Sequence, residues 1–222
     1  MTDPRLHTVA FSGHRTFKMS GDDLFSPSAG EGRPADTLAL RLDRQLERLH
    51  REGYDTFLCG MAEGFDLEAA EAVLRLRDRT AGQPARIPHT PGTAPAAATS
   101  GSPARSEAAP PAPVPPGMPS RSPEKGESTP GTVRLVAVIP YSRQAAQFSP
   151  ADRTRYEAVL ERADERILLS PVYHAGCFHV RNDYLVDHAS LLLCYYNGTQ
   201  GGTRYTVRRA LKAGLPVVNL YP

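Results

Sequence analysis

A chain of 222 residues is long enough for one domain of ordinary size, with room for a tail or an insert. Its 26 Lys+Arg against 24 Asp+Glu leave a net charge of +2, without the basic excess of proteins that live on nucleic acid phosphates, so nucleic acid is disfavoured as a partner. No apolar run approaches the roughly 18 residues of a membrane span, no apolar leader follows Met1, and Cys59, Cys177 and Cys194 are too irregular for a disulfide framework. The expectation is a cytoplasmic protein with no membrane partner.

In chain order, Thr8-Val-Ala-Phe-Ser12 reads as a buried strand before Gly13, and the polar stretch Ser20 to Pro34 as a loop. Asp36 is a good N-cap for a helix whose stripe is Leu38, Leu42, Leu46 and Leu49, closed by Gly53. Thr56-Phe-Leu-Cys59 is a second strand, followed from about Asp66 to Arg77 by a helix carrying Ala69, Ala70, Val73 and Leu74. From Ala81 to Thr132 the chain is mostly Pro, Ala, Ser, Thr and Gly, too poor in large apolar groups to offset the entropy of ordering it, and is expected to be a disordered insert. Val133 to Ile139 is the most strand-like run, ended by Pro140, and Ser149-Pro150-Ala-Asp152 opens a helix with buried Tyr156, Val159, Leu160 and Ala163. Arg166 to Ser170, Ser190 to Tyr196 and Pro216 to Leu220 read as three further strands, with helices near Arg181 to His188 and Gly202 to Ala213 between them.

Strands apolar on both faces and separated by helices predict a three-layer α/β sandwich with a mostly parallel, Rossmann-like sheet, its two parts at 1–80 and 133–222 around the insert at 81–132. In such sheets ligands sit beyond the carboxyl ends of the strands, where strand order reverses. The loops there carry Gly13-His14-Arg15, Gly60-Met61-Ala62-Glu63-Gly64-Phe65-Asp66, Pro140-Tyr141 and Gly201-Gly202-Thr203. Gly60 and Gly64 flank one helix start and Gly201-Gly202-Thr203 opens another, and bare helix starts attract phosphate through free amides and the helix dipole. The Gly60 to Asp66 turn reads equally as a tight turn with Asp66 as plain N-cap. On the phosphate reading, Gly64→Val is expected to abolish binding without unfolding the protein. Arg15 is suited to grip a phosphate, and His14 reads more readily as a structural hydrogen-bonder than as an acid or base. Glu63 is a candidate acceptor for a ribose hydroxyl or a general base, or else a solvated charge. His174, Cys177 and His179 have metal-compatible spacing but lack a fourth ligand, so no metal is expected.

Ser12-Gly13-His14-Arg15, the Gly60 to Asp66 loop and Ala69-Ala-Glu71, followed by Ile139-Pro140-Tyr141 with Gln144, Arg155-Tyr156, Ala163-Asp164, Arg181-Asn182, Val186-Asp187, Gly201-Gly202-Thr203 and Thr206-Val207, resemble in order the YpsA family. That family belongs to the SLOG superfamily of bacterial Rossmann-like proteins, which includes the DNA-processing protein Smf/DprA and the LOG phosphoribohydrolases. The resemblance implies a nucleotide-type ligand, such as an ADP-ribose- or NAD-like molecule or a nucleoside phosphate. Its principal loop would be Gly60, Met61, Glu63, Gly64 and Asp66, its second loop Gly201, Gly202 and Thr203, with Gly13, His14, Arg15, Pro140, Tyr141, Arg181, Asn182 and Asp187 lining the same cleft.

Two functions follow as expectations: a sensor or regulatory module that binds the nucleotide and changes contacts with a protein partner or a second copy, and a nucleoside-phosphate hydrolase using Glu63 or Asp66. LOG enzymes carry a glutamate after their glycine-threonine loop, where this chain continues Gly202-Thr203-Arg204-Tyr205-Thr206 without a carboxylate. That departure counts against hydrolysis.

Overall fold

The structure, a computed structural model, describes residues 4–15, 37–81 and 131–222. The expected insert, apart from its end residues, and the expected Ser20 to Pro34 loop lie outside the described residues, as does Asp36.

Strand β1 (Thr8–Gly13) leads to helix α1 (Leu38–Arg51), and β2 (Thr56–Cys59) to α2 (Phe65–Thr80). After residue 131 come β3 (Arg134–Ile139), a short 3-10 turn (Gln144–Gln147), α3 (Pro150–Arg162), β4 (Glu165–Leu168), α4 (Cys177–Asp187), β5 (Leu191–Tyr195), α5 (Gly202–Lys212) and β6 (Val217–Asn219). Thr37, not Asp36, caps α1, its hydroxyl accepting from Leu40 N–H at 3.3 Å. Ser149 caps α3 as expected, taking Asp152 N–H at 3.1 Å. α4 begins four residues before its expected start, because Gly176 adopts a left-handed conformation and releases Cys177 into the first turn.

The strands form one six-stranded sheet in the order β4-β3-β2-β1-β5-β6, parallel at every pairing, with Ala10 of β1 opposite both Leu58 and Leu192. Alternation along the strands divides the core. Val9, Phe11, Phe57, Leu135 and Leu193 face the layer built by α1, α2 and α3, where Leu42, Leu46 and Leu49 present the predicted stripe. Ala10, Leu58, Val136 and Leu192 face α4 and α5 and pack with Leu185, Val186, Val207 and Ala210. The result is the α/β three-layer Rossmann-like sandwich expected from two-sided apolar strands.

Several residues that carried the sequence resemblance are staples of this frame. Arg155 on α3 donates to Glu68 and Glu71 on α2, each at 2.7 Å. Asp164 accepts Leu135 N–H at 2.8 Å and Arg77 at 2.9 Å, fixing the entry to β4.

Candidate functional site

The chain builds outward from β1 to β4 on one side and then returns to place β5 and β6 on the other, so strand order reverses between β1 and β5. The helices that follow those two strands, α1 and α5, lie in opposite layers, and a crevice is left at the carboxyl edge. A cavity of about 250 Å³ lies there. It is lined by residues 11–15 at the end of β1, Ala62 and Asp66 from the β2–α2 turn, Phe178, Arg181, Asn182 and Leu185 of α4, and residues 199–203 entering α5.

The two glycine-flanked helix starts differ in what already occupies them. At α2 the N-cap is Gly64, not Asp66; Phe65 N–H is given to His14 C=O at 3.1 Å, and a Cβ on Gly64 would collide with the backbone of His14 and Arg15. Asp66 is the second helical residue, where an acid already complements the dipole. At α5 the N-cap Gly201 supplies no side-chain cap, no acid stands in the first turn, and a Cβ on Gly201 would meet only open space. Thr203, in the first turn of α5, is 7% exposed, and no described residue bonds its hydroxyl. The open helix start is therefore that of α5.

A buried ion pair lines the same cavity. Asp66 Oδ2 accepts Ala62 N–H at 3.2 Å and stands 3.6 Å from Arg181 Nη1, both residues being at least nine-tenths buried. Arg181 also donates through Nη1 to Gly60 C=O and through Nε to Asn182 Oδ1, the latter at 2.8 Å. Its guanidinium fills the volume that a Cβ on Gly60 would take, so Gly60 serves to admit Arg181 rather than a phosphate. Burial raises the Asp66 carboxyl above its ordinary range, against the opposing pull of Arg181 and the Ala62 N–H. Burial likewise lowers the Arg181 guanidinium, opposed by Asp66, yet a guanidinium stays charged in proteins. Neither the second guanidinium nitrogen of Arg181 nor the amide nitrogen of Asn182 has a hydrogen-bond partner among the described residues.

Of the residues singled out in the sequence, Gly13, His14, Arg15, Asp66, Arg181, Asn182, Gly201, Gly202 and Thr203 line the cavity together. Gly13 is there because a side chain would strike the ring of Phe65, which stands edge-on to Phe11 of β1 and stacks on Tyr195 of β5. His14 Nε2 accepts Asn197 N–H at 3.1 Å, which fixes its proton on Nδ1 and joins the β1 loop to the β5 loop. The others lie elsewhere. Met61 is fully buried in the core at φ 56°, its carbonyl and that of Gly60 held by the Gln144 amide at 2.6 and 3.1 Å. Pro140 is buried at the end of β3, Tyr141 belongs to an aromatic group beside the cavity, and Asp187 pairs with Arg209 at 2.6 Å on the outer face. Glu63 accepts Ser149 N–H at 3.2 Å and so ties the turn to α3. Glu63→Gln is accordingly expected to leave ligand affinity within about twofold and to cost under about 1 kcal/mol of stability by titration and melting, since only one exposed charge-assisted bond is weakened. Among the described residues no group of His, Cys, Asp or Glu is placed to hold a metal. No helix among them is long and apolar enough to cross a membrane.

Phe178 and the 199–200 segment line the cavity without having been singled out in the sequence. The signal for Phe178 was available: it follows the first residue of the stripe Cys177, Arg181, Leu185, and Tyr173 stands shortly before it.

Fold and site together define a doubly wound parallel α/β protein with a polar, partly cationic cavity at its strand-order reversal. No family model matches the chain, and no curated protein matches it. Among solved structures it is similar to DNA processing protein A (DprA) from Streptococcus pneumoniae, at a TM-score of 0.48 and 13% identity over 96% of this chain and 49% of that one. It is also similar to DNA processing protein A from Helicobacter pylori, a structure described for its single-stranded DNA binding mode, at a TM-score of 0.46 and 11% identity over 96% of this chain and 64% of that one. The chain thus spans about half to two thirds of the length of these two proteins.

Proposed function

We propose that this chain is a SLOG-type, YpsA-like cytoplasmic binding module that takes a nucleotide or nucleotide-derived ligand, an ADP-ribose- or NAD-like molecule or a nucleoside phosphate, at the carboxyl ends of β1 and β5. One observation carries the reading: the bare N-terminus of α5 opens on the same cavity as the buried guanidinium of Arg181. Amides of the Gly201-Gly202-Thr203 turn, the Thr203 hydroxyl and the spare donors of Arg181 and Asn182 converge on one space, and donors without acceptors are what a phosphate satisfies. The motif resemblance supports the same class of ligand. A ligand that bridges the β1 and β5 loops would stiffen both and so change contacts with a protein partner or a second copy, as a sensor requires.

Mass spectrometry of ligand retained on gently purified protein tests the class, and a retained compound without a phosphate would sink the reading. Thr203→Val keeps shape and burial while removing the hydroxyl, so it is expected to weaken the identified ligand about fivefold to tenfold with the melting temperature nearly unchanged. Equal affinity by calorimetric titration would remove Thr203 from the site.

The hydrolase reading now rests on Asp66, because Glu63 serves the start of α3. Asp66 is already engaged by Arg181 and Ala62 N–H, which favours a structural carboxylate over a free base. Release of the nucleobase on incubation with the identified nucleotide would overturn the binding-module reading in favour of the enzyme.

A further inference from the structure

The cavity is smaller than a nucleotide-sized pocket. At about 250 Å³ it falls below the roughly 300–1,000 Å³ of pockets that enclose whole drug-sized ligands, so it surrounds a sugar phosphate and leaves a base at its mouth. The mouth has an aromatic wall. Phe178 lines the cavity, and Tyr141 stands nearly perpendicular to its ring, at 6.0 Å between centroids and 76°. Tyr173 lies 6.4 Å from Phe178 and 5.4 Å from Tyr141, so the three rings brace one another. Over Phe178 lies the guanidinium of Arg15, its Cζ 4.8 Å from the ring centroid.

Phe178 and Tyr141 are half-buried, and the outer side of the wall faces water. Tyr173 is 61% exposed and its neighbour Val172 65% exposed, a cluster of apolar surface whose position beside donors gives it a reason to stay uncovered. An exposed Arg15 lifts from the ring at little cost, since exposed cation–π contacts are weak. A planar heterocycle entering between them exchanges one weak contact for two stacked faces.

Resting on the anion subsite proposed above, we infer that Phe178 is the platform on which the base of a nucleoside monophosphate stacks, with the Arg15 guanidinium closing over the other face of that base. The near-neutral net charge of +2 favours a free nucleotide over a strand as its source.

The experiment compares ribose 5-phosphate with AMP by calorimetric titration, in the full chain and in Phe178→Ala, Phe178→Tyr and Arg15→Ala. The expected result in the unsubstituted protein is AMP bound at least about tenfold more tightly than ribose 5-phosphate, the gain of one aromatic stack. Phe178→Ala erases most of that ratio while shifting ribose 5-phosphate by less than about twofold, and Phe178→Tyr, which keeps a ring and guards against a folding defect, preserves the ratio. Arg15→Ala reduces the ratio in part. If both probes bind equally and Phe178→Ala leaves their ratio unmoved, the platform is overturned and the anion subsite stands. If neither probe binds at millimolar concentration, the anion subsite and the platform fall together.

Discussion

Arg181→Met is expected to abolish nucleotide binding and to lower the free energy of unfolding by about 3–5 kcal/mol, because it removes one partner of a buried ion pair and leaves the other charge behind. Arg181 is 6% exposed and holds Asp66, Gly60 C=O and Asn182 Oδ1 at once. In its absence Asp66 keeps the Ala62 N–H as its main stabilising donor. The Asp66 carboxyl is raised even with the guanidinium present, and losing the largest opposing influence raises it further. The unfolded chain then releases its proton near the ordinary carboxyl range while the folded chain holds it. Folding is therefore favoured most in acid, below the unfolded value, and the advantage is lost as pH rises through the raised folded value. Urea denaturation should show the variant losing more stability between pH 5 and pH 8 than the unsubstituted protein. Adding Asp66→Asn should restore most of the lost stability at pH 8 and none of the binding, since the anion donors remain absent. A variant equally stable at both pH values and still binding nucleotide would show that the pair is neither buried nor part of the site.

The sheet was legible because its chemistry is local. Runs such as Thr8 to Ser12 and Leu191 to Tyr195 are apolar on both faces, and the stripe of Leu42, Leu46 and Leu49 has the period of a helix. The site was legible only in part, because its decisive contacts join residues far apart in sequence. Glu63 is the sole carboxylate between Gly60 and Gly64, which made it the natural candidate for chemistry, but its partner is Ser149, 86 residues on. Asp66 reads in the sequence as a plain N-cap, whereas it is the second residue of α2 and faces Arg181, a partner that no local pattern reveals. Arg181 itself left a trace: a charged residue in the stripe Cys177, Arg181, Leu185 must find an acid or leave the core. The two glycine-flanked helix starts look alike in sequence, and only the course of the β1 loop shows that one is filled by backbone and the other is open.

That difference alters what Gly64 is for and makes its replacement the second large effect. Gly64→Ala is expected to destabilise the fold by about 3 kcal/mol or more, from a strained backbone together with a lost hydrogen bond. Gly64 sits at φ 77° and ψ −123°, a conformation disfavoured for any residue with a Cβ. The added carbon would meet the backbone of His14 and Arg15, not the end of a side chain that could swing aside. Relief requires the β1 loop to move, which breaks the bond from Phe65 N–H to His14 C=O and withdraws His14 from Asn197 N–H. The expectation that Gly64→Val would spare the fold assumed a phosphate beside Gly64; with protein backbone there instead, binding and stability fall together. Gly176→Ala is the control, since Gly176 also has a positive φ of 89° but nothing within 4 Å of its would-be Cβ, so its cost should stay near 1 kcal/mol. Denaturation of both variants beside the unsubstituted protein measures the difference. Equal losses would mean that strain alone acts at Gly64 and that the β1 loop does not press on the start of α2.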